Sequence, residues 1–263
     1  MVQWFRQLDR VLRGDAVRDG GLGSGPGHVS ARGLAVVAVL LAGVYGAGVG
    51  SFAVIRTGGE SWMQLLASAV KMPLLFFLTL VVTLPSLYVF SALVGARLRA
   101  VSVARLLVSM VGVAVAVLAS FSPIVVFFGV STTSYPFMKL LNVAMCGVAG
   151  VLALMFMLRT LQTMVREAED EEGRSELVLT TDLSAEEREA AEEMQRRREA
   201  EVRRRAGNVF RIWVLLFGFV GVQMSWVLRP FVGDPALPFA WFRDRESNFF
   251  ADVFEALVTL LGG

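Results

Sequence analysis

Residues 106–129 read LLVSMVGVAVAVLASFSPIVVFFG and contain no charged side chain. An α-helix rises about 1.5 Å per residue, so a helix of this length crosses the roughly 30 Å hydrocarbon core of a bilayer. A surface helix of a soluble domain would instead show a charged or polar face to water. The stretch therefore predicts an integral membrane protein.

Four further apolar runs flank this stretch, at 33–55, 72–95, 137–158 and 209–228. Each is long enough, or nearly so, to span the membrane as a helix. Because lipid offers no hydrogen-bonding partner to the backbone, spanning segments of this kind are helical. The sequence thus predicts an all-α membrane protein, a bundle of five transmembrane helices.

The composition supports this class and excludes several others. Hydrophobic residues make up 55% of the chain and charged residues 18%, against about 25% charged in soluble proteins. The single cysteine, Cys146, excludes an intramolecular disulfide, and the single histidine, His28, excludes a histidine-pair metal site. No nucleophile–base pair or cofactor motif occurs, so we expect neither an enzyme, nor a cofactor, nor a metal.

The basic residues are distributed unevenly along the chain, which predicts its orientation. Of the 25 Lys and Arg residues, 19 fall before the first span, between spans two and three, or between spans four and five, with Arg211 counted in the last group. The positive-inside rule places those segments in the cytoplasm. The bias predicts a cytoplasmic N-terminus and an external C-terminus. It also explains the basic pI without nucleic-acid binding.

Three segments lie outside the predicted spans. An N-terminal arm, 1–32, combines an amphipathic helix with a glycine-rich linker at 20–27. Residues 159–208 predict a charged cytoplasmic helical hairpin with a loose tip at 173–182. The aromatic-rich outer tail, 229–263, contains a second amphipathic pattern. A similar pattern at 59–70 predicts another helix on the same side. Both helices are predicted to lie in the outer interface or to cap the bundle.

Small residues and prolines within the spans predict how the helices pack. Gly46 and Gly50 form a G-x-x-x-G motif, which lets helix backbones approach closely in lipid. We favour packing within one chain over a homo-oligomer contact, which stays an alternative. The glycines at 147–150 and 218–221 have the same interpretation. Pro85 and Pro123 are predicted to kink spans two and three, with nearby Ser and Thr hydroxyls satisfying the freed carbonyls.

Polar and aromatic residues near the outer ends of spans four and five are the candidate interaction or packing residues. Asn142 and Gln223 predict interhelical hydrogen bonds, and the basic residues there predict interfacial anchors beside aromatic rings. The cytoplasmic arginines at 203–205 are candidates for anionic lipid headgroups. The outer candidates are Tyr135, Lys139, Asn142, Gln223, Trp226, Arg229 and Pro230, and the cytoplasmic ones are Arg203, Arg204 and Arg205.

Several motifs resemble a family of uncharacterised bacterial multi-pass membrane proteins, which is itself similar to the Yip-type five-span membrane proteins. They are KMPLLFFLT at 71–79 with PSLYVF at 85–90, SPI and FF within 122–128, YPFMKLLN at 135–142, QMSWVLRPFVG at 223–233, and PF, FR and NF within 238–249. The resemblance covers about 33–158 and 209–257. It implies a five-helix bundle in a bacterial inner membrane and a partner-binding role in membrane organisation, and it carries over no catalytic residue.

Two functions follow from these patterns. The first is a non-enzymatic interaction or scaffold subunit of a membrane assembly, which binds a protein partner through the charged hairpin or the outer tail. The alternative is a channel or transporter for a small solute or a lipid, in which kinked spans two and three line a path with Asn142 and Gln223.

Overall fold

The computed structural model describes residues 2–14, 30–93, 100–179, 193–194, 212–243 and 248–262. Every regular element in these ranges is helical, and no strand occurs among them. We number the helices in chain order. They are α1 (Val2–Arg13), α2 (Ala31–Arg56), α3 (Trp62–Leu93), α4 (Ala100–Ser131), α5 (Tyr135–Leu179), α6 (Ile212–Val227) and α7 (Phe249–Gly262).

Four of these helices, α2 to α5, are long and apolar enough to cross a membrane. The chain is therefore a helical membrane protein. The described part of α6, Ile212–Val227, is a shorter apolar helix, and residues 209–211 before it lie outside the described ranges. The helix predicted at 59–70 is present from residue 62, but residues 62–70 are the first turns of α3 and not a separate helix. Positive φ angles at Gly58 and Gly59 make the turn that precedes it.

Helix α2 lies at the centre of the bundle and packs against both α3 and α4. Its glycines permit a close crossing with α3. A Cβ atom added to Gly46 would lie 2.3 Å from the Ser68 carbonyl oxygen, and one added to Gly50 would lie 2.6 Å from the Leu65 Cα. Because dispersion and close packing hold helices together in lipid, these contacts assign the G-x-x-x-G motif to packing within the chain.

The other predicted small-residue contacts are absent. Cβ atoms added to Gly147, Gly150 or Gly218 would meet nothing within 4 Å, and one at Gly221 would meet only the Thr79 methyl group at 3.7 Å. The prediction of tight packing was therefore wrong for these glycines of α5 and α6. They leave open space between the two helices instead.

The amphipathic helix α1 docks onto the bundle. Leu8 and Val11 are buried, and a Cβ added to Gly112 of α4 would meet the Leu8 side chain at 3.3 Å. The Trp4 ring covers Gly33 at the start of α2. One face of α1 thus packs against other helices of the same chain. The glycine-rich linker at 20–27 lies outside the described residues.

Helix α5 continues far beyond its membrane-spanning part. Its apolar section ends at Thr160, and the charged residues that follow stay helical to Leu179. The predicted loose tip at 173–182 is therefore helical in its first seven positions. Residues 180–192 and 195–211 lie outside the described ranges, and with them the second arm of the predicted hairpin and Arg203, Arg204 and Arg205.

The prolines lie within unbroken helices. Pro73 and Pro85 lie inside α3, and Pro123 lies inside α4. Each proline leaves the carbonyl four residues before it without its helical hydrogen bond. The nearby hydroxyls donate to other carbonyls. Thr83 donates to Thr79, and Ser86 donates to Thr83. In α4, Ser120 donates to Val117, and Ser122 donates across to Val44 of α2. The predicted hydroxyl partners were therefore wrong.

Arg56 at the end of α2 binds the end of α4. Its Nη2 donates to the carbonyls of Gly129 (3.2 Å), Val130 (2.9 Å) and Thr132. Carbonyls at a helix C-terminus have no partner within the helix and carry the negative end of the helix dipole. The guanidinium therefore caps α4 and ties it to α2.

We expect Arg56→Met to lower the free energy of unfolding by about 2 kcal/mol, because it removes a charged hydrogen-bond donor from these carbonyls. Arg56→Lys should lose less, since it keeps the charge and one donor. Thermal unfolding in detergent measures both. An Arg56→Met protein as stable as the wild type would show that the cap contributes nothing.

Candidate functional site

The chain after α6 folds back onto the start of α3. We call residues 228–243 the outer loop, after the side of the membrane on which the sequence predicts them. Three buried side chains of α3 hold its backbone. Lys71 Nζ donates to the Pro230 carbonyl (3.0 Å), and Gln64 Nε2 donates to the Phe231 carbonyl (3.2 Å), which also accepts from the Ser68 hydroxyl. Lys71 is 1% exposed. Buried donors and carbonyls need hydrogen-bond partners. The side chains of α3 and the carbonyls of the outer loop satisfy one another.

Two further contacts seat the loop. The Lys71 ammonium lies 5.3 Å from the centre of the Phe242 ring, within cation–π range. A Cβ added to Gly233 would lie 2.4 Å from the Gln64 Cγ and 2.8 Å from the Ala53 Cβ. Glycine at this position lets the loop lie directly on α2 and α3. The Arg229–Pro230 peptide bond is cis.

Charged side chains gather beside this loop, at the N-terminal end of α5. Lys139 Nζ lies 3.0 Å from each carboxylate oxygen of Asp252, which links α5 to α7. The same ammonium lies 5.3 Å from the centre of the Tyr135 ring. The Arg229 guanidinium stacks 3.6 Å above the Trp226 ring. The predicted cluster around Trp226, Arg229 and Pro230 is thus a stacked turn.

A cavity of about 620 Å³ opens below these charges. It lies between α3, α5 and α6, reaches α4, and is bordered at one end by the outer loop and α7. Its walls along the helices are Met72, Leu75, Phe76, Thr79, Met110, Val111, Ala114, Asn142, Val143, Cys146, Gly147, Gly150, Val151, Ala153, Leu154, Phe217, Gly218, Gly221, Val222, Ser225 and Trp226. The open space left by the α5 and α6 glycines is part of it.

The end of the cavity at the outer loop, which we call the mouth, is polar. It is lined by Tyr135, Lys139, Arg229, Asp234, Arg243 and Asp252, together with Pro230, Phe231, Val232, Phe249 and Val253. The basic side chains therefore outnumber the acidic ones by three to two among these residues. A long apolar chamber thus ends in a charged opening.

Most polar groups inside the chamber are already satisfied. The Thr79 and Ser225 hydroxyls donate to the Leu75 and Val222 carbonyls of their own helices. Asn142 differs, because its Oδ1 accepts a 3.0 Å hydrogen bond from the fully buried Tyr45 hydroxyl. Its Nδ2 group has no protein acceptor among the described residues. The amide of Asn142 therefore offers a hydrogen-bond donor to a ligand in the chamber.

The structure brings together most of the residues that the sequence singled out. Six line the one cavity: Tyr135, Lys139, Asn142, Trp226, Arg229 and Pro230. Gln223 lies on α6 outside this lining. Pro85 and Pro123 do not line it either, so the predicted path along kinked spans two and three is not where the cavity lies.

Sequence reasoning missed the residues that hold the outer loop and complete the mouth. Gln64 and Ser68 fall in the amphipathic pattern at 59–70, Lys71 directly precedes the predicted span at 72–95, and Arg243 and Asp252 fall in the tail at 229–263. One signal was present. Lys71 and Lys139 are the only lysines in the chain, and both bind polar groups at the end of the bundle where residues 228–243 lie.

No family model, curated protein or solved structure matches this chain. The resemblance to the bacterial family and to Yip-type proteins therefore stays a prediction. The four long apolar helices define a membrane protein. The cavity is the feature that points to its function.

Proposed function

We propose that this membrane protein binds a lipid-like amphiphile in the cavity, with the hydrocarbon tail in the chamber and the polar end at the mouth. The observation that carries the proposal is the division of one cavity into an apolar chamber and a charged opening. A ligand of matching shape buries its apolar tail and keeps its charged group at the mouth. Burying the charge as well would be costly.

The dimensions fit a lipid tail. The chamber lining follows α5 from Asn142 to Leu154, a helical rise of about 18 Å. One leaflet of the hydrocarbon core is about 15 Å thick, the depth that an acyl chain fills. Pockets that enclose small organic ligands measure about 300–1,000 Å³, and the volume here lies within that range.

The membrane topology completes the proposal. Residues 209–228 form a fifth span in a bacterial inner membrane, with the N-terminus in the cytoplasm and the mouth on the outer side. The balance of basic residues supports this orientation. The outer loop contacts Gln64 and Lys71, and α7 contacts Lys139. These contacts agree with this orientation, because it places all of these groups on the same side of the membrane. Lipid binding on that side serves lipid transport or lipid sensing.

Native mass spectrometry of the full-length protein tests the proposal. The spectrum is recorded twice from a neutral detergent, once directly after purification and once after exhaustive delipidation. We expect one tightly held amphiphile per chain before delipidation, and rebinding of one synthetic phospholipid afterwards. A protein that carries no lipid and rebinds none, while it stays folded, would contradict the proposal.

A role as an interaction subunit is the second candidate, and the outer surface favours it. Phe250, Phe254 and Leu261 of α7 are exposed, as are Trp241 and Phe242 of the outer loop. Contiguous exposed aromatic side chains are typical of protein or membrane contacts. Crosslinking in the native membrane followed by mass spectrometry tests this role. A stoichiometric partner on 230–263 would support it, and a chain that crosslinks to no protein would contradict it.

A further inference from the structure

We infer that the ligand carries an acyl carbonyl just below its polar end, and that the Asn142 amide binds this carbonyl inside the chamber. The inference rests on the proposed amphiphile binding and narrows the ligand class to acyl lipids, in which an ester or amide carbonyl joins the tail to the head. Its basis is the orientation and the position of one amide group in the cavity wall.

Two donors fix the orientation of the Asn142 amide. The Tyr45 hydroxyl donates to its Oδ1 at 3.0 Å, and the Cys146 thiol lies 4.0 Å from the same oxygen. Tyr45 is fully buried, and a buried hydroxyl needs an acceptor. Reversing the amide would take this acceptor away from both the hydroxyl and the thiol. The oxygen is therefore held toward Tyr45 of α2, and the Nδ2 group remains for another partner.

The Nδ2 group is open to the chamber. It bonds no acceptor among the described residues and is not enclosed by protein, and Asn142 lines the cavity. The Thr79 and Ser225 hydroxyls, which also line the chamber, already donate to carbonyls of their own helices. An amide donor without an acceptor in apolar surroundings is costly. The chamber thus has a place for a hydrogen-bond acceptor beside Asn142.

The depth of Asn142 matches the position of an acyl carbonyl. Asn142 follows Lys139 by three residues on α5, so it lies about 4.5 Å further from the mouth. Beyond it, residues 143–154 of the same helix are apolar apart from the Cys146 thiol. In an acyl lipid the carbonyl lies between the polar head and the first methylene of the tail. A head at the mouth, a carbonyl at Asn142 and a tail beyond it follow the same order.

The test compares phosphatidylglycerol with its dialkyl ether analogue on the delipidated full-length protein. The two lipids have the same head and chains of equal length, and they differ in the carbonyl oxygens. We expect the ester lipid to bind about tenfold more tightly, the effect of one hydrogen bond to a donor that has no other partner. Native mass spectrometry at a series of lipid concentrations measures both affinities.

Removing the amide should remove this preference. Asn142→Leu alone leaves the Tyr45 hydroxyl without its acceptor, so the decisive variant combines Asn142→Leu with Tyr45→Phe and removes both partners. This double variant should bind the two lipids equally, whereas Tyr45→Phe alone keeps the amide and should keep the preference. Gln223→Leu is the matched control, because it removes an amide of α6 that does not line the cavity. The tenfold difference should persist in it.

The outcomes separate this inference from the proposed function. Equal affinities for the two lipids in the wild type, or an unchanged preference in the double variant, would overturn carbonyl recognition and leave amphiphile binding intact. Binding of neither lipid would overturn the proposed function itself. The wild-type comparison decides even where a variant does not fold.

The copurified ligand gives an independent readout. Mild alkali releases the chain of an ester and leaves an amide intact, so it shows which of the two carbonyls the ligand carries, and either one supports the inference. A copurified lipid with neither an ester nor an amide would contradict it.

Discussion

Gly46→Val is expected to prevent stable folding of the bundle. A Cβ at this position would lie 2.3 Å from the Ser68 carbonyl oxygen and within 3 Å of two further backbone atoms of α3. Backbone atoms of a packed helix cannot rotate away as a side chain can, so α2 and α3 must separate. We expect a loss of at least about 3 kcal/mol, the upper end of the cost of overpacking.

The matched control is Gly147→Val on α5. The added Cβ would meet no atom within 4 Å, so the variant should unfold within about 1 kcal/mol of the wild type. Reversible unfolding in mixed micelles measures both proteins. Equal stability of the two variants would show that α2 and α3 are not in the close contact that the structure gives them.

Gly147→Trp is expected to abolish lipid binding and to leave the fold intact. Gly147 lines the chamber, and nothing occupies the space beside it. An indole placed there takes the room of the lipid tail, and we expect the affinity to fall by at least about tenfold, the equivalent of 1.4 kcal/mol. Thermal unfolding and native mass spectrometry on one preparation separate the two effects.

Val148→Trp is the control for this variant. Val148 follows Gly147 on the same helix, is 48% exposed, and does not line the cavity. The same indole then points toward lipid outside the bundle, and binding should stay at the wild-type level. Equal loss of binding in both variants would show that a bulky residue on α5, rather than a filled chamber, causes the effect.

The sequence predicts the parts of this fold that depend on hydrophobic length. Uninterrupted apolar runs leave only a helix as the spanning structure, and four long apolar helices are present. The G-x-x-x-G motif at Gly46 also packs within the chain. Glycine alone, however, does not distinguish close contact from empty space. Gly46 and Gly147 look alike in the sequence, and only the positions of the partner helices separate them.

The candidate site was predictable only in part, for a similar reason. Tyr135, Lys139 and Arg229 stood out as polar groups at span ends. Their common cavity depends on how α5, α6 and the outer loop meet. The role of Lys71 depends on a contact with Pro230 across 159 positions of the chain. A lysine beside an apolar run is typical of an interfacial anchor, and nothing local shows that this one is buried.

Photocrosslinking with a phosphatidylglycerol that carries a diazirine in its acyl tail tests the central claim most directly. After irradiation in membranes, mass spectrometry locates the labelled residues. The account predicts labels concentrated on the chamber walls, at 143–154 of α5 and 217–222 of α6, and their loss in Gly147→Trp. Labels spread evenly over outward-facing residues such as Val81 and Phe127, and unchanged in Gly147→Trp, would contradict it.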